Sequence, residues 1–196
     1  MRALIEKSSS VDRILYKFFE HIVKSSMILG DSFSDSIQVA TEIVANALLT
    51  GNTIFTAGQG NSSALAQLLT HNLALGTQID RPGFPSLNLS QMVCGFTNDC
   101  NAKVLLTHAK SSDILFLLSR GASNTNLVQF VEAGVQRDLR IILVAYKDDA
   151  MLIEHLRPRD LCLDLSRFES RVLSQLHLQI IESLSQLVDH VILGEN

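Results

Sequence analysis

Two short stretches hold the residue types that could grip an anion. Gly58-Gln-Gly-Asn-Ser-Ser63 follows the β-branched and aromatic run Thr53-Ile-Phe-Thr-Ala57 and precedes an apolar helical pattern. Ser119-Arg-Gly-Ala-Ser-Asn-Thr125 follows the apolar run Ile114-Leu-Phe-Leu-Leu118 and also opens a helix. Glycine lets the backbone approach a ligand, and serine hydroxyls donate hydrogen bonds. The unpaired N–H groups of a helix's first turn point at negative charge. By itself the first stretch fits either an anion cradle or an ordinary strand-to-helix turn with a serine cap. Two such loops in one small domain, converging at one sheet edge, favour a phosphorylated ligand. The predicted contacts are Ser62 with one or more of Ser119, Ser123 and Asn124.

The elements that must position these loops can be read from periodicity. Apolar runs at 53–57, 86–89, 114–118, 140–145 and 161–163 read as strands. Helical patterns separate them near 63–75, 101–108, 124–137 and 150–156, and a last long helix spans about 166–191. Strands that alternate with helices and are apolar throughout predict a mainly parallel five-stranded sheet in a three-layer α-β-α sandwich. Runs 53–57 and 114–118 belong near its middle, and ligands in such sheets sit beyond the carboxyl ends of the strands. Ahead of the first strand, Val11, Ile14, Leu15, Phe18, Phe19, Ile22 and Val23 mark one amphipathic helix. Ser34 and Asp35 then read as the start of a second, with Ile37, Ala40, Ile43, Val44, Ala47 and Leu48 as its stripe and Gly51 as its stop. One domain over residues 1–196 is expected, with helices in 1–52 at an oligomer interface.

Composition narrows the function classes. A chain of 196 residues with 46% hydrophobic and 18% charged residues can bury a sizeable core. A net charge of −4 without a basic cluster gives direct nucleic-acid binding no electrostatic footing. Cys94, Cys100 and Cys162 show no CxxC spacing, which suits buried thiols in a reducing cytoplasm. Charge arrives too early for a signal peptide, and no apolar run approaches the roughly 20 residues of a membrane span.

Several motifs together resemble the sugar isomerase (SIS) domain family, and within it the phosphoheptose isomerases and the DiaA proteins that associate with the replication initiator. Ala57-Gly-Gln-Gly-Asn-Ser62 is similar to the family's C-G-N-G-G-S, Arg81-Pro-Gly-Phe-Pro85 to R-P-G-Y-P, and Asn98-Asp99 falls near its N-D. Asp113-Ile-Leu-Phe-Leu-Leu-Ser119 resembles the strand that leads into the phosphate-binding serine loop, and Arg171 and His177 also match. The resemblance implies phosphate-binding roles for Ser62 and Ser119. Two registers fit the second loop: read without gaps, Gly121 and Asn124 replace serines, whereas a one-residue slip aligns Ser123 with the last serine and Arg120 with the arginine of DiaA-like members.

The isomerases need a base near the carbonyl and an acid for its oxygen. The resemblance assigns these, and zinc where it is present, to a His and Glu four residues apart on one helix and a Gln and His eight apart on the last. Here those places hold Leu68, Asn72, Ser174 and Glu182. Leu68 has no donor atom and Asn72 no basicity, so no catalytic residue is assigned and no zinc or other cofactor is expected. Glu182 alone could act as a base. His71 sits about 100° around the helix from Asn72, and His21, His108, His155 and His190 lack partner spacing. The expectation is an oligomeric, cytoplasmic, DiaA-like adaptor for the replication initiator, a homotetramer by the resemblance, with a sugar phosphate as ligand. The alternative is a sedoheptulose 7-phosphate isomerase with a rearranged site. At the carboxyl terminus Val191, Ile192 and Leu193 either pack against another subunit or let Ile192 and Leu193 anchor a protein partner.

Overall fold

The computed structural model describes residues 2–76, 80–90, 100–121 and 125–194. Five apolar segments form strands β1 Ile54–Gly58, β2 Ser86–Asn88, β3 Ile114–Leu118, β4 Arg140–Ala145 and β5 Leu161–Asp164. They pair in the order β2-β1-β3-β4-β5, every neighbouring pair parallel. Central β3 is buried at all five positions, as a strand covered on both faces must be.

Alternation along the strands divides the interior into two layers. Ile54, Ile114, Phe116, Leu118, Ile142 and Val144 face α1 Arg2–Leu49, α2 Ser62–Leu75 and α6 Leu173–Leu193. Phe55, Ala57, Leu115, Leu117, Ile141 and Leu143 face α3 Cys100–His108, α4 Thr125–Gln136 and α5 Ala150–Glu154. The three-layer α/β sandwich predicted from the sequence is therefore present.

Two helix boundaries differ from expectation. The amino-terminal region is one continuous helix of 48 residues, not two. Ser34 and Asp35 lie inside it, and Gly30 interrupts nothing. The serines do not compete with the helix, since a hydroxyl such as that of Ser26 donates to the Ile22 carbonyl one turn back at 2.8 Å. Leu29, Phe33 and Ile37 continue the apolar stripe across the expected break and pack into the first layer. At the other end, α6 starts at Leu173 after a 3-10 turn, Ser170–Val172, rather than near residue 166. Asp164 Oδ1 accepts from the Ser166 N–H at 2.9 Å and so forms a turn where the helix was expected to begin.

Candidate functional site

In this strand order the chain leaves β1 for one edge and β3 for the other, so their carboxyl ends flank the crevice where doubly wound sheets bind ligands. The first candidate loop and the described start of the second, Ser119–Gly121, lie there. At Gly58 a Cβ would stand 2.2 Å from the Ser62 carbonyl oxygen, so only glycine lets the strand turn this tightly into α2. At Gly121, φ is +82° and a Cβ would lie 2.2 Å from the Lys147 carbonyl oxygen. Gln59 ties the two loops together. Its backbone N–H donates to Leu118 O at 3.0 Å, its Nε2 to Gly121 O at 3.1 Å, and its Oε1 accepts from the Arg120 N–H at 3.2 Å.

Ser62 and Ser119 are fully buried. The Ser62 hydroxyl shares a 2.9 Å hydrogen bond with His177 Nδ1 on α6. Arg120 Nη1 donates to Ser174 Oγ at 2.9 Å and to Ser62 Oγ at 3.4 Å, which brings a positive charge into the cradle between the two loops and α6. The Ser119 hydroxyl accepts from the Gly121 N–H at 3.1 Å. Burial, reinforced by the Arg120 charge, pushes the His177 pKa down to about 3. The imidazole is thus neutral near pH 7, with Nε2 lacking a partner among the described residues. It contacts the Ser62 hydroxyl and carries no positive charge at that pH. Ser123 and Asn124, together with Asn98 and Asp99, lie outside the described residues.

Further along the same helices the chemistry changes. Leu68 packs against the first core layer. Asn72, 5% exposed, donates from Nδ2 to Glu182 Oε1 at 3.3 Å and to Ser185 Oγ at 3.4 Å. Ser174 is the acceptor of Arg120 described above. The four positions thus present an alkyl group, an amide, a carboxylate and a hydroxyl, and only Glu182 offers a strong metal donor. No group of three or more His, Cys, Asp or Glu among the described residues is placed to hold a metal.

Arg81 fixes this region from behind. Its Nε donates to Asp189 Oδ1 at 2.7 Å, Nη1 to Leu73 O at 2.9 Å and Nη2 to Asn72 O at 3.2 Å, while its guanidinium lies 3.8 Å from the Phe84 ring centroid. Both members of the Arg81–Asp189 pair are buried. Sequence reasoning missed this brace, the Ser62–His177 contact and the bridging role of Gln59. The visible signals were the Arg81-Pro-Gly-Phe-Pro85 motif, the place of Gln59 in the first loop and the match at His177, none of which named a partner.

His71, His108 and His190 are exposed, His21 lies 3.6 Å from Glu169 and His155 3.6 Å from Glu132. Ile192 packs partly against its own chain's first layer, whereas Leu193 is 41% exposed.

Comparison with known proteins agrees with this fold. The DnaA initiator-associating protein DiaA of Photorhabdus laumondii is 26% identical over 190 residues, 93% of this chain and 96% of that protein. A phosphoheptose isomerase of Shewanella halifaxensis is 25% identical over 194 residues, 95% and 98% of the two chains. Among solved structures, a phosphoheptose isomerase from Francisella tularensis superimposes with a TM-score of 0.83 at 20% identity, covering 92% of this chain and 98% of that one. A HobA–DnaA (domain I-II) complex from Helicobacter pylori gives 0.63 at 13%, covering 95% and 96%. The SIS domain profile matches residues 17–145, a span that runs from α1 through β4 and includes both serine loops. This chain belongs to the SIS domain family.

Proposed function

We propose that this protein is a non-catalytic, DiaA-like adaptor that binds the replication initiator DnaA in the cytoplasm as a homo-oligomer, a tetramer by its resemblance. The observation that carries this reading is the Asn72–Glu182 contact beside a core-packed Leu68, at places where the isomerases are expected to hold acid, base and metal ligands. An amide does not take up a proton near neutral pH, and a leucine side chain neither binds metal nor transfers protons. The similarity to DiaA supports the partner, and the fold shared with HobA supports a SIS scaffold for that role. The oligomer is supported by the outer half of α1, where Ile14, Tyr16, Phe19 and Met27 are each more than half exposed. The cradle around Ser62, Ser119 and Arg120 suits a sugar phosphate, which would act as a ligand and not as a substrate.

A second reading, an isomerase that uses Glu182 as its base, draws on the similarity to phosphoheptose isomerases and on the carboxylate beside Asn72.

Calorimetry with the purified amino-terminal domains of the initiator tests the adaptor. Saturable binding is expected. Ile192→Ser with Leu193→Ser should abolish it while sedimentation shows the oligomer unchanged. No binding by the unmodified protein contradicts the proposal. Dissociation of the double variant would instead assign Ile192 and Leu193 to a subunit contact.

A further inference from the structure

At the amino ends of the strands, opposite the Ser62 cradle, the last turns of α1 and the segments before β1, β3 and β4 enclose a cleft of about 470 Å³. That volume lies in the range of small-molecule sites. Its wall includes Arg140, the first residue of β4. Arg140 begins the row that continues through Ile142 and Val144, both fully buried against the α1 layer, and it is in register with Ile114 on β3. A charged side chain therefore ends a buried apolar row. Arg140 is itself half-buried, and its Nε is buried without a hydrogen-bond partner among the described residues. Leaving a cationic donor unmatched away from water is costly, and native proteins rarely do so without a reason.

Glu42, also on the cleft wall, is exposed to solvent, and the other nearby carboxylates are already engaged. Asp138 receives Arg157 and Arg159, Asp160 receives Arg157 and the Ile141 N–H, and Asp113 accepts from the backbone N–H groups of Thr53 and Lys110. On the facing wall the side chains of Ile43, Ala47 and Ile114 supply apolar surface, and Asn46 stands exposed at the rim.

We propose that this cleft binds a small organic oxyanion, with its carboxylate or phosphate on Arg140 and its apolar body over Ile43, Ala47 and Ile114. The site is separate from the serine cradle and does not depend on initiator binding.

Calorimetric titration of the full chain with benzoate, phenyl phosphate and neutral benzyl alcohol tests it. At least one anion should bind saturably and the alcohol should not; which anion binds distinguishes a carboxylate from a phosphate ligand. Arg140→Gln should weaken binding about tenfold or more, the loss expected for a charge-assisted hydrogen bond. Asn46→Trp, which fills the cleft from an exposed helix position, should abolish it, and Ser62→Ala should leave it unchanged. Asn46→Trp decides by itself if Arg140→Gln fails to fold. The proposal is overturned if neither anion binds, if the cleft variants bind as the unmodified protein does, or if Ser62→Ala removes binding and so places the anion in the cradle.

Discussion

The loops after β1 and β3 and the helical layer formed by α2 and α6 lie next to each other, yet they hold different chemistry. The loops are polar and tightly turned: two glycines that tolerate no Cβ, two buried serines, and an arginine donating inward. In the helical layer the polar atoms satisfy one another, Asn72 with Glu182 and Ser185, while Leu68 faces the core. One region carries the donors that the proposed anion would need, and in the other the polar side chains are paired with one another. On the proposed reading, binding and turnover are separable on one fold, because each depends on a different set of side chains.

The largest expected effect comes from the brace behind the helical layer. Asp189→Asn leaves the buried Arg81 guanidinium without its counter-charge. It should cost about 3–5 kcal/mol, read as a lower urea midpoint. A loss below about 1 kcal/mol would mean that the layer is not held by this pair.

On the cradle side, Gly58→Ala forces a Cβ into the Ser62 carbonyl. A loss of about 3 kcal/mol or more is expected. Gly30→Ala is the control: it is helical, exposed and has nothing within 4 Å, so it should stabilise by about 0.5–1 kcal/mol. Equal effects at the two glycines would break the claim that the cradle is sterically fixed.

His177 joins the two regions, and its effect is intermediate between those glycines. Its folded pKa of about 3 lies below the ordinary 6.5, so the unfolded chain takes up a proton that the native chain excludes. Stability from this group is complete above about pH 6.5 and is lost as pH falls towards 3. Between pH 7 and pH 5 the loss amounts to about 2 kcal/mol. His177→Gln should remove that part of the pH dependence, measured as the difference between urea midpoints of variant and parent at the two pH values. Parallel pH profiles would show that the imidazole is not held neutral.

Much of the fold was legible because strand-forming runs and helical stripes do not depend on distant partners. Residues 140–145 read as a strand from composition and are one, and the serine loops fell at strand ends because a strand–turn–helix has a local signature. The unbroken α1 was not legible. Ser34 and Asp35 suit a cap and a helix interior equally, and contacts of Phe33 and Ile37 with residues far along the chain decide between them. The site was legible in residue type but not in pairing. Ser62 meets His177 across 115 positions, and Arg81 meets Asp189 across 108. Helical period says which residues share a face of α6, not which loop that face meets.

The measurement that bears most directly on the separation of binding from turnover is an isomerase assay of the unmodified protein with sedoheptulose 7-phosphate, with and without added zinc. With Leu68 and Asn72 in place, no turnover above the uncatalysed rate is expected under either condition. Turnover at about 1 s⁻¹ or faster, in the ordinary enzymatic range, would contradict the account.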